Sequence, residues 1–536
     1  MSTHTFDTPV VVVGAGPVGS ALALELARHG TPSVVLEKSA KPPRFPKMDY
    51  VNGRSMELLG RLGLSAEIRS RGVAADQPTN FVFSRGAAEP PVTVWRYPSV
   101  ADVSRRNAET TDGTMPDQAY QRVQGSLLEQ VLRRAASEHP LIELRQGCRV
   151  TGYTPAGAGV TVSVAGPRGT DSVTGRYLVA CDGAASTVRE AAGIAVQATG
   201  PPTQHCSLYF TSADPALRRY GPAFLTTTTR GLNLVSRDGA HTWTASFLVK
   251  DGQQPEDPVA VMWDKFGGTF AIDELLDVSH WRGTLAVAEA YRAGPVFLAG
   301  DAAHQFYPVG GHGANTGIAD AVDLGWKLAA VTAGWGGPGL LDSYQPERRP
   351  VALFNREMCA NLMEAWQRFA RLAAIGTARE VLAGFLQQEV YQLDNVGIHF
   401  GYRYSGSSVV SAADAAAGPP PWHWGEVTPV PWPGGRVPSI ALDGTPLYQL
   451  LGTGFTLVDL SGTGEGETFV KEAAQRGIPL ARVGCDDAAI RHRWSCDLVL
   501  VRPDQHVAWQ GSGVPPSVGA VLDQVCGRDG ATGAGL

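Results

Sequence analysis

The run Val10-Val11-Val12-Val13-Gly14-Ala15-Gly16-Pro17-Val18-Gly19, continued by Ser20–Arg28, Gly30 and Ser33–Glu37, decides how this chain folds. Four consecutive valines make a strand of buried length. The apolar spacing of Val18–Arg28 is helical and stops at Gly30. Ser33–Leu36 returns as a second buried strand that closes on Glu37. Between strand and helix, Gly14 permits a tight turn, Gly16 lets the backbone approach a pyrophosphate with Pro17 beside it, and Gly19 lets the helix pack close to the strand. The helix amino terminus offers unpaired N–H groups and a partial positive charge to phosphates. Glu37 lies 23 residues after Gly14, with Lys38 next to it. An acid there accepts hydrogen bonds from an adenosine ribose. A glycine-rich turn alone is weak, but strand, helix and acid agree on a dinucleotide site.

Outward from that unit, 536 residues exceed one compact core and predict two or three domains. With 43% hydrophobic and 18% charged residues the chain is of ordinary globular composition. A net charge of -6 without a basic tract argues against nucleic acid as a partner. Met1–Thr8 is short and polar, and Val10–Val13 is only a strand, so neither a signal peptide nor a membrane span is expected. The 7 cysteines have no Cys-x-x-Cys pair, which reads as reduced thiols in a cytoplasmic protein and offers no metal site.

Further buried-strand runs fall at Arg176–Cys181 and Val296–Ala299. Between them His241–Val249 alternates, with Trp243, Ala245, Phe247 and Val249 on one face and Thr242, Thr244 and Ser246 on the other. Ile318–Thr332 and Arg349–Leu372 read as helices. Gly418–Pro438 is rich in proline and glycine and reads as a linker, which makes Val437–Leu536 a separate small α/β domain. Inside it, Ser461-Gly462-Thr463-Gly464-Glu465-Gly466 imitates a nucleotide turn, but the spacing is wrong and no acid closes a second strand.

Two segments extend the first motif. Cys181-Asp182-Gly183-Ala184-Ala185-Ser186-Thr187-Val188-Arg189 follows one buried strand, and Gly300-Asp301-Ala302-Ala303-His304 follows another. With Pro308–Gly317, Asp320–Leu328 and Leu341–Pro350, this order resembles the class A flavoprotein monooxygenases of the para-hydroxybenzoate hydroxylase fold, over about residues 8–370. The end of the chain, Leu451–Trp509 with Val501-Arg502-Pro503-Asp504-Gln505-His506-Val507-Ala508-Trp509, resembles the thioredoxin-like tail of the polyketide-hydroxylase subgroup. Without paired cysteines that tail has no dithiol chemistry and is expected to serve packing or assembly. The resemblance implies an α/β fold: a Rossmann-like FAD-binding domain (1–80, 105–185 and 291–410 with its helices), a β-rich substrate domain (81–104 and 186–290), a linker (411–436) and a thioredoxin-like domain (437–536).

It also implies roles. Asp301 accepts from ribityl hydroxyls, and Gly311, His312, Gly313, Ala314 and Asn315 lie against the isoalloxazine edge, their N–H groups favouring negative charge on the reduced ring. Pro308 offers a backbone carbonyl near the reacting flavin carbon. Gln124 opens a helix as the family's flavin-contacting glutamine, and the backbone of Val150 meets the adenine. Asp182 either lies near FAD and the nicotinamide path or caps the turn that follows it. The family commonly has an arginine before Arg54-Ser55-Met56-Glu57 where this chain has Lys47, with Arg44 three residues earlier. Either residue can neutralise the pyrophosphate, although lysine lacks the bidentate fork. His304 and His312 are read as packed histidines before catalytic ones. Phe210, Phe224, Trp243 and Phe247 line an apolar substrate cavity or form sheet core.

The activity implied is monooxygenation. NADPH (or NADH) reduces FAD, O2 forms a flavin 4a-hydroperoxide, and oxygen passes to a phenolic or polycyclic aromatic, polyketide-like small molecule. No side-chain base is assigned. Baeyer–Villiger insertion, a flavin reductase without oxygen transfer and an FAD-holding scaffold are the rivals. A small aromatic substrate is the partner expected, and a homodimer is left open.

Overall fold

A computed structural model describes residues 6–87, 89–250, 253–393, 395–411 and 418–528. Residues 1–5 of the polar start, 412–417 of the linker and 529–536 of the tail lie outside the described residues.

The valine run becomes the strand Thr8–Val13 at the middle of an 8-stranded sheet. Ser33–Glu37 and then Ile142–Gln146 lie on one side of it; Gly169–Ala180 and then Val296–Leu298 lie on the other, all parallel. The helices Pro17–Arg28 and Gly125–Glu138 and the antiparallel strands Arg149–Ala156 and Gly159–Gly166 pack around it, and Val10, Val11 and Val12 are wholly buried, as unbroken apolar runs in parallel sheets are. Val13 is level with Leu36 on one neighbour and Ala180 on the other, and Ala180 with Leu298. The turns carrying Gly14, Glu37, Asp182 and Asp301 therefore leave one edge of one sheet, where strand order reverses and open α/β sheets take their ligands.

The helix Pro17–Arg28 packs against His312–Thr332 through small residues. A Cβ added at Gly317 would lie 2.6 Å from Val18 Cγ2 and 3.0 Å from the Gly300 Cα. One close contact thus locks the first and third motifs together.

A second sheet of seven strands is mostly antiparallel, in the order Glu274–Gly283, Thr203–Thr211, Thr242–Val249, Leu232–Ser236, Leu225–Thr228, Phe81–Ser84 and Thr93–Trp95. Its apolar face, with Cys206, Leu208, Phe210, Trp243 and Phe247, packs on the helix Pro258–Phe266 through Met262 and Phe266. Phe210, Trp243 and Phe247 are therefore core behind the sheet and line no substrate cavity. Large apolar side chains on an alternating strand go to the covered face. Phe224 is half-buried at the margin, edge-on to Phe81 and under the Arg122 guanidinium at 4.1 Å.

The C-terminal domain is a four-stranded sheet ordered Leu480–Gly484, Phe455–Asp459, Leu498–Val501, Val507–Gly511, with the first pair parallel and the others antiparallel. With the helices Glu467–Gln475 and Val518–Val525 this is a thioredoxin-like arrangement. It is not set apart by a free linker. Trp326 and Leu340 share one core with Phe455, Trp509 and Leu522, and Gly434 to Pro438 are buried. Proline and glycine serve there to bend a packed strap: Arg403 bridges Gly435, and Arg436 bridges His506.

Candidate flavin and substrate site

Gly14 turns at φ +99°, and a Cβ there would lie 2.4 Å from the Cys181 carbonyl. Only glycine fits where the first and second motifs touch. Ala15 N–H donates to Glu37 Oε2 at 2.7 Å and Ser39 N–H to Oε1 at 2.8 Å. Arg133 approaches the same carboxylate at 3.4 Å and bonds the Ala15 carbonyl at 2.8 Å. Glu37 is thus fixed at the strand end, while Lys38 is exposed. Gly16 caps the helix with no side chain, and a Cβ built on it meets nothing within 4 Å. The open space there fits a pyrophosphate against the helix terminus.

Asp182 Oδ2 accepts from the Val188 N–H at 3.3 Å, so the capping role is realised. Its Oδ1 is buried without a hydrogen-bond partner, and burial raises its carboxyl pKa against the pull of Ser186. Arg189 ties this turn to the third motif by donating to the carbonyls of Ala184 at 3.0 Å and Ala302 at 3.3 Å.

Asp301 is open to solvent, yet desolvation raises its pKa while His304 and Lys47 oppose the rise. A carboxylate reached by water but walled by protein lies on a crevice floor. Lys47 also lowers the pKa of Glu129, which desolvation raises first, whereas the charge of Arg44 is felt by Tyr209 on the other sheet. Both bases are exposed, and Lys47 is the one whose charge acts on Asp301. His304 is packed: its Nε2 meets Asp320 Oδ2 at 2.7 Å. Asp320 also accepts from the Gly300 N–H at 3.2 Å and Arg348 Nε at 2.8 Å, so this carboxylate holds the Gly-Asp turn from behind.

In the glycine turn, Pro308 is exposed and Gly310 and Gly311 are left-handed, at φ +70° and +69°. His312 opens the helix behind them. Asn315 is committed to the scaffold: its Oδ1 accepts from the Asn52 N–H at 3.0 Å, and its Nδ2 donates to the carbonyls of Tyr50 at 3.0 Å and Gly311 at 2.6 Å. Ala314 is half-buried, and a Cβ at Gly313 meets nothing within 4 Å. The turn thus presents bare backbone to open space. Val150 is buried at a bulge in the strand Arg149–Ala156.

Gln124 precedes the helix Gly125–Glu138, and Tyr209 Oη donates to its Oε1 at 3.1 Å. That bond joins the second sheet to the start of the helix Gly125–Glu138 and marks the sheet face bearing Tyr209 as the one turned toward that helix. Tyr209, Ser207, Ser246 and Thr244 lie on that face, one residue out of phase with the phenylalanines. Phe45 meets the Tyr209 ring edge-on at 5.9 Å, Ser207 bonds Ser246 at 2.7 Å, and Trp281 donates to Ser207 at 2.8 Å. Arg237 Nε bonds Thr244 at 2.9 Å. The polar half of His241–Val249 was the signal for this face. Tyr209 carried none, because its partner Gln124 is remote in sequence, and the segments Asp320–Leu328 and Leu341–Pro350 do not show that Asp320 and Arg348 pair.

Residues 7–355 match the family described as FAD binding domain, and residues 430–529 match the aromatic-ring hydroxylase C-terminal family. The FAD-dependent monooxygenase apdD of Emericella nidulans is 35% identical over 94% of this chain and 88% of that protein. Aklavinone 12-hydroxylase RdmE of Streptomyces purpurascens is 29% identical over 78% of this chain and 77% of its own. The rebeccamycin biosynthetic enzyme RebC with reduced flavin superposes with a TM-score of 0.85, at 31% identity over 97% of this chain and 99% of that one. Among the described residues no helix is long and apolar enough to cross a membrane. With its glycine turn, Asp-Gly and Gly-Asp motifs at one sheet edge and a hydroxylase tail packed behind them, the chain belongs to the FAD-dependent aromatic-ring hydroxylases, monooxygenases that use FAD with a nicotinamide and O2.

Proposed function

We propose that this enzyme hydroxylates a fused-ring aromatic or polyketide-derived molecule held between the Gly310–Gly317 turn and the sheet face bearing Tyr209, Thr244 and Ser246. The observation that supports this reading is the Tyr209–Gln124 bond, which ties the polar, aromatic sheet face to the residue that opens the helix Gly125–Glu138. The names of relatives support a large substrate: anhydrotetracycline monooxygenase of Streptomyces rimosus is 34% identical over 64% of this chain, and a solved aklavinone-11 hydroxylase holds FAD and aklavinone.

Bound FAD would supply hydride acceptance and oxygen activation. The chain's part is placement. Gly14, Gly16, Pro17 and Gly19 admit the pyrophosphate to the helix terminus, Glu37 takes the ribose, and Lys47 offsets the phosphate charge. Asp301 bonds the ribityl chain from the crevice floor. Backbone N–H groups at Gly313 and Ala314 face the ring edge. Tyr209 and Gln124 orient the substrate ring, and Phe45 closes over it to exclude water. Purified enzyme should be yellow, consume NADPH with O2 and a polycyclic phenol, and release product heavier by one oxygen atom. Nicotinamide consumption with no oxygen in any product overturns the reading.

A further inference from the structure

Behind the glycine turn lies a cavity of about 20 Å³, lined among others by Asn52, Arg54, His312, Asn355, His399 and Tyr402. Among the described residues, Arg54 Nε, His312 Nδ1, Asn355 Oδ1 and His399 Nε2 are buried there without hydrogen-bond partners. The four side chains are only 3%, 4%, 6% and 6% exposed in that order. Buried polar atoms left unmet cost about 1–3 kcal/mol each, so four around one cavity call for an occupant.

Valence identifies it. Arg348 is paired with Asp320 at 2.8 Å, while Arg54 shares Glu57 with Arg436, so charge alone does not exclude an anion; the need for a donor does. The Thr316 hydroxyl donates to the His312 carbonyl at 2.8 Å and therefore accepts from Asn355 Nδ2 at 2.9 Å. That leaves Asn355 Oδ1 facing the cavity as an acceptor. Arg54 Nε can only donate. Water accepts two bonds and donates two, and a cavity of roughly this size holds one. Arg54 uses one lone pair and Asn355 one O–H. The remaining lone pair and O–H fall to His399 and His312, so one histidine must donate and the other accept.

The geometry points to a single fixed water at this site, taking an N–H from His399 and giving an O–H to His312 Nδ1, so that His312 carries its proton on Nε2 at the glycine turn. A Cβ on Gly310 would lie 2.5 Å from that Nε2, which places it at the turn itself. The two rings lie 5.7 Å apart and edge to face. Both are neutral at pH 7: burial pushes His312 down to about 4, and burial with His312 nearby holds His399 well below its usual value. The inference rests on the reading that this turn borders the flavin. Its consequence is an N–H donor aimed at the ring side, which favours the reduced, electron-rich ring. His399, Arg54 and Asn355 are thus positioning residues acting through the water and His312.

The test is the reduction equilibrium of photoreduced holoenzyme against a reference dye, which needs neither substrate nor nicotinamide. His399→Phe and Asn355→Leu should each shift it toward oxidised flavin about threefold to tenfold, the worth of one hydrogen bond. His399→Gln, which keeps a donor, should restore the parental value. A crystal structure of oxidised holoenzyme should show one water bonded to all four atoms. Parental equilibria in both variants, or a cavity holding no water or a halide, overturn the proposal. If the variants bind no FAD, the crystal structure of the parent decides. Failure to hydroxylate would instead count only against the proposed reaction, and parent protein without FAD against the flavin site.

Discussion

Arg502, in the C-terminal domain, reaches both carboxylate oxygens of Glu347, at 2.7 and 2.9 Å, across 155 positions of sequence. Glu347 also takes Lys327 at 2.5 Å, and Arg502 also takes Asp323 at 2.9 Å and Asp504 at 2.7 Å. All five side chains are buried. A buried pair adds little net stability, but removing one partner strands the other charge.

Arg502→Ala is therefore expected to destabilise the whole enzyme by about 3–5 kcal/mol. Flavin release and loss of far-UV ellipticity should coincide in one thermal transition. Deleting residues from Val437 onward should prevent folding for the same reason, and a flavin domain surviving that deletion would contradict the shared core.

Gly313→Val should leave the apoprotein's stability within about 1 kcal/mol, as surface substitutions do, because beyond its own helix no atom lies within 4 Å of the added Cβ. FAD titration by fluorescence quenching should show affinity down more than about tenfold, or 1.4 kcal/mol. Gly311→Val tests less, since its φ of +69° and the Tyr50 ring at 2.8 Å would strain any side chain.

Glu37→Ala should weaken FAD by about 1.5–3 kcal/mol through lost charge-assisted bonds. Glu37→Gln should retain much of the turn, because an amide oxygen still accepts from Ala15 N–H. Calorimetric titration of FAD into both apoproteins decides, and equal affinity in all three proteins would remove Glu37 from the site.

Tyr209→Phe loses the bond to Gln124 and should raise the KM for the aromatic substrate with unchanged stability. Phe247→Ala should cost about 3–5 kcal/mol of stability, as a buried phenylalanine does. The pair separates the working face of the sheet from its core by steady-state kinetics and urea denaturation.

Burial lowers the pKa values of His205, His312 and His506 to about 4 from 6.5. Between those values the unfolded chain binds more protons than the native one, so stability rises with pH. Urea midpoints should fall as pH drops from 6.5 toward 4 and level off above. Glu25 is depressed to about 2, since Arg61 and His29 outweigh the burial that opposes them. Its contribution is lost only below pH 4.5. Replacing His312 with Gln should flatten the upper slope, and an unchanged slope would mean that His312 titrates normally.

The flavin half of the fold was legible because its signals are local. Strand, glycine turn, helix and acid follow one another from Val10 to Glu37, and each later motif ends its own strand. The substrate side was half legible. Alternation in His241–Val249 predicts two faces but not which one turns toward Gln124, and large aromatics drew attention to the covered one. The tail was misread as separate because composition at Gly418–Pro438 marks a bend and carries nothing about what the bend packs against. Two partners of Arg54, Asp504 and Gln505, lie 450 and 451 positions away.

The strap and the charges beneath it bear on how such enzymes can be recombined. A hybrid joined at Gly418–Pro438, where composition invites the cut, would bring a foreign tail onto Asp323, Lys327 and Glu347 and leave Arg54 and Glu57 facing strangers. Only tails that supply counterparts of Arg436, Arg502, Asp504 and Gln505 would dock. Tail and flavin helices must therefore be exchanged together, and over evolutionary time they should drift as one unit, each substitution in the buried set waiting on another far along the chain.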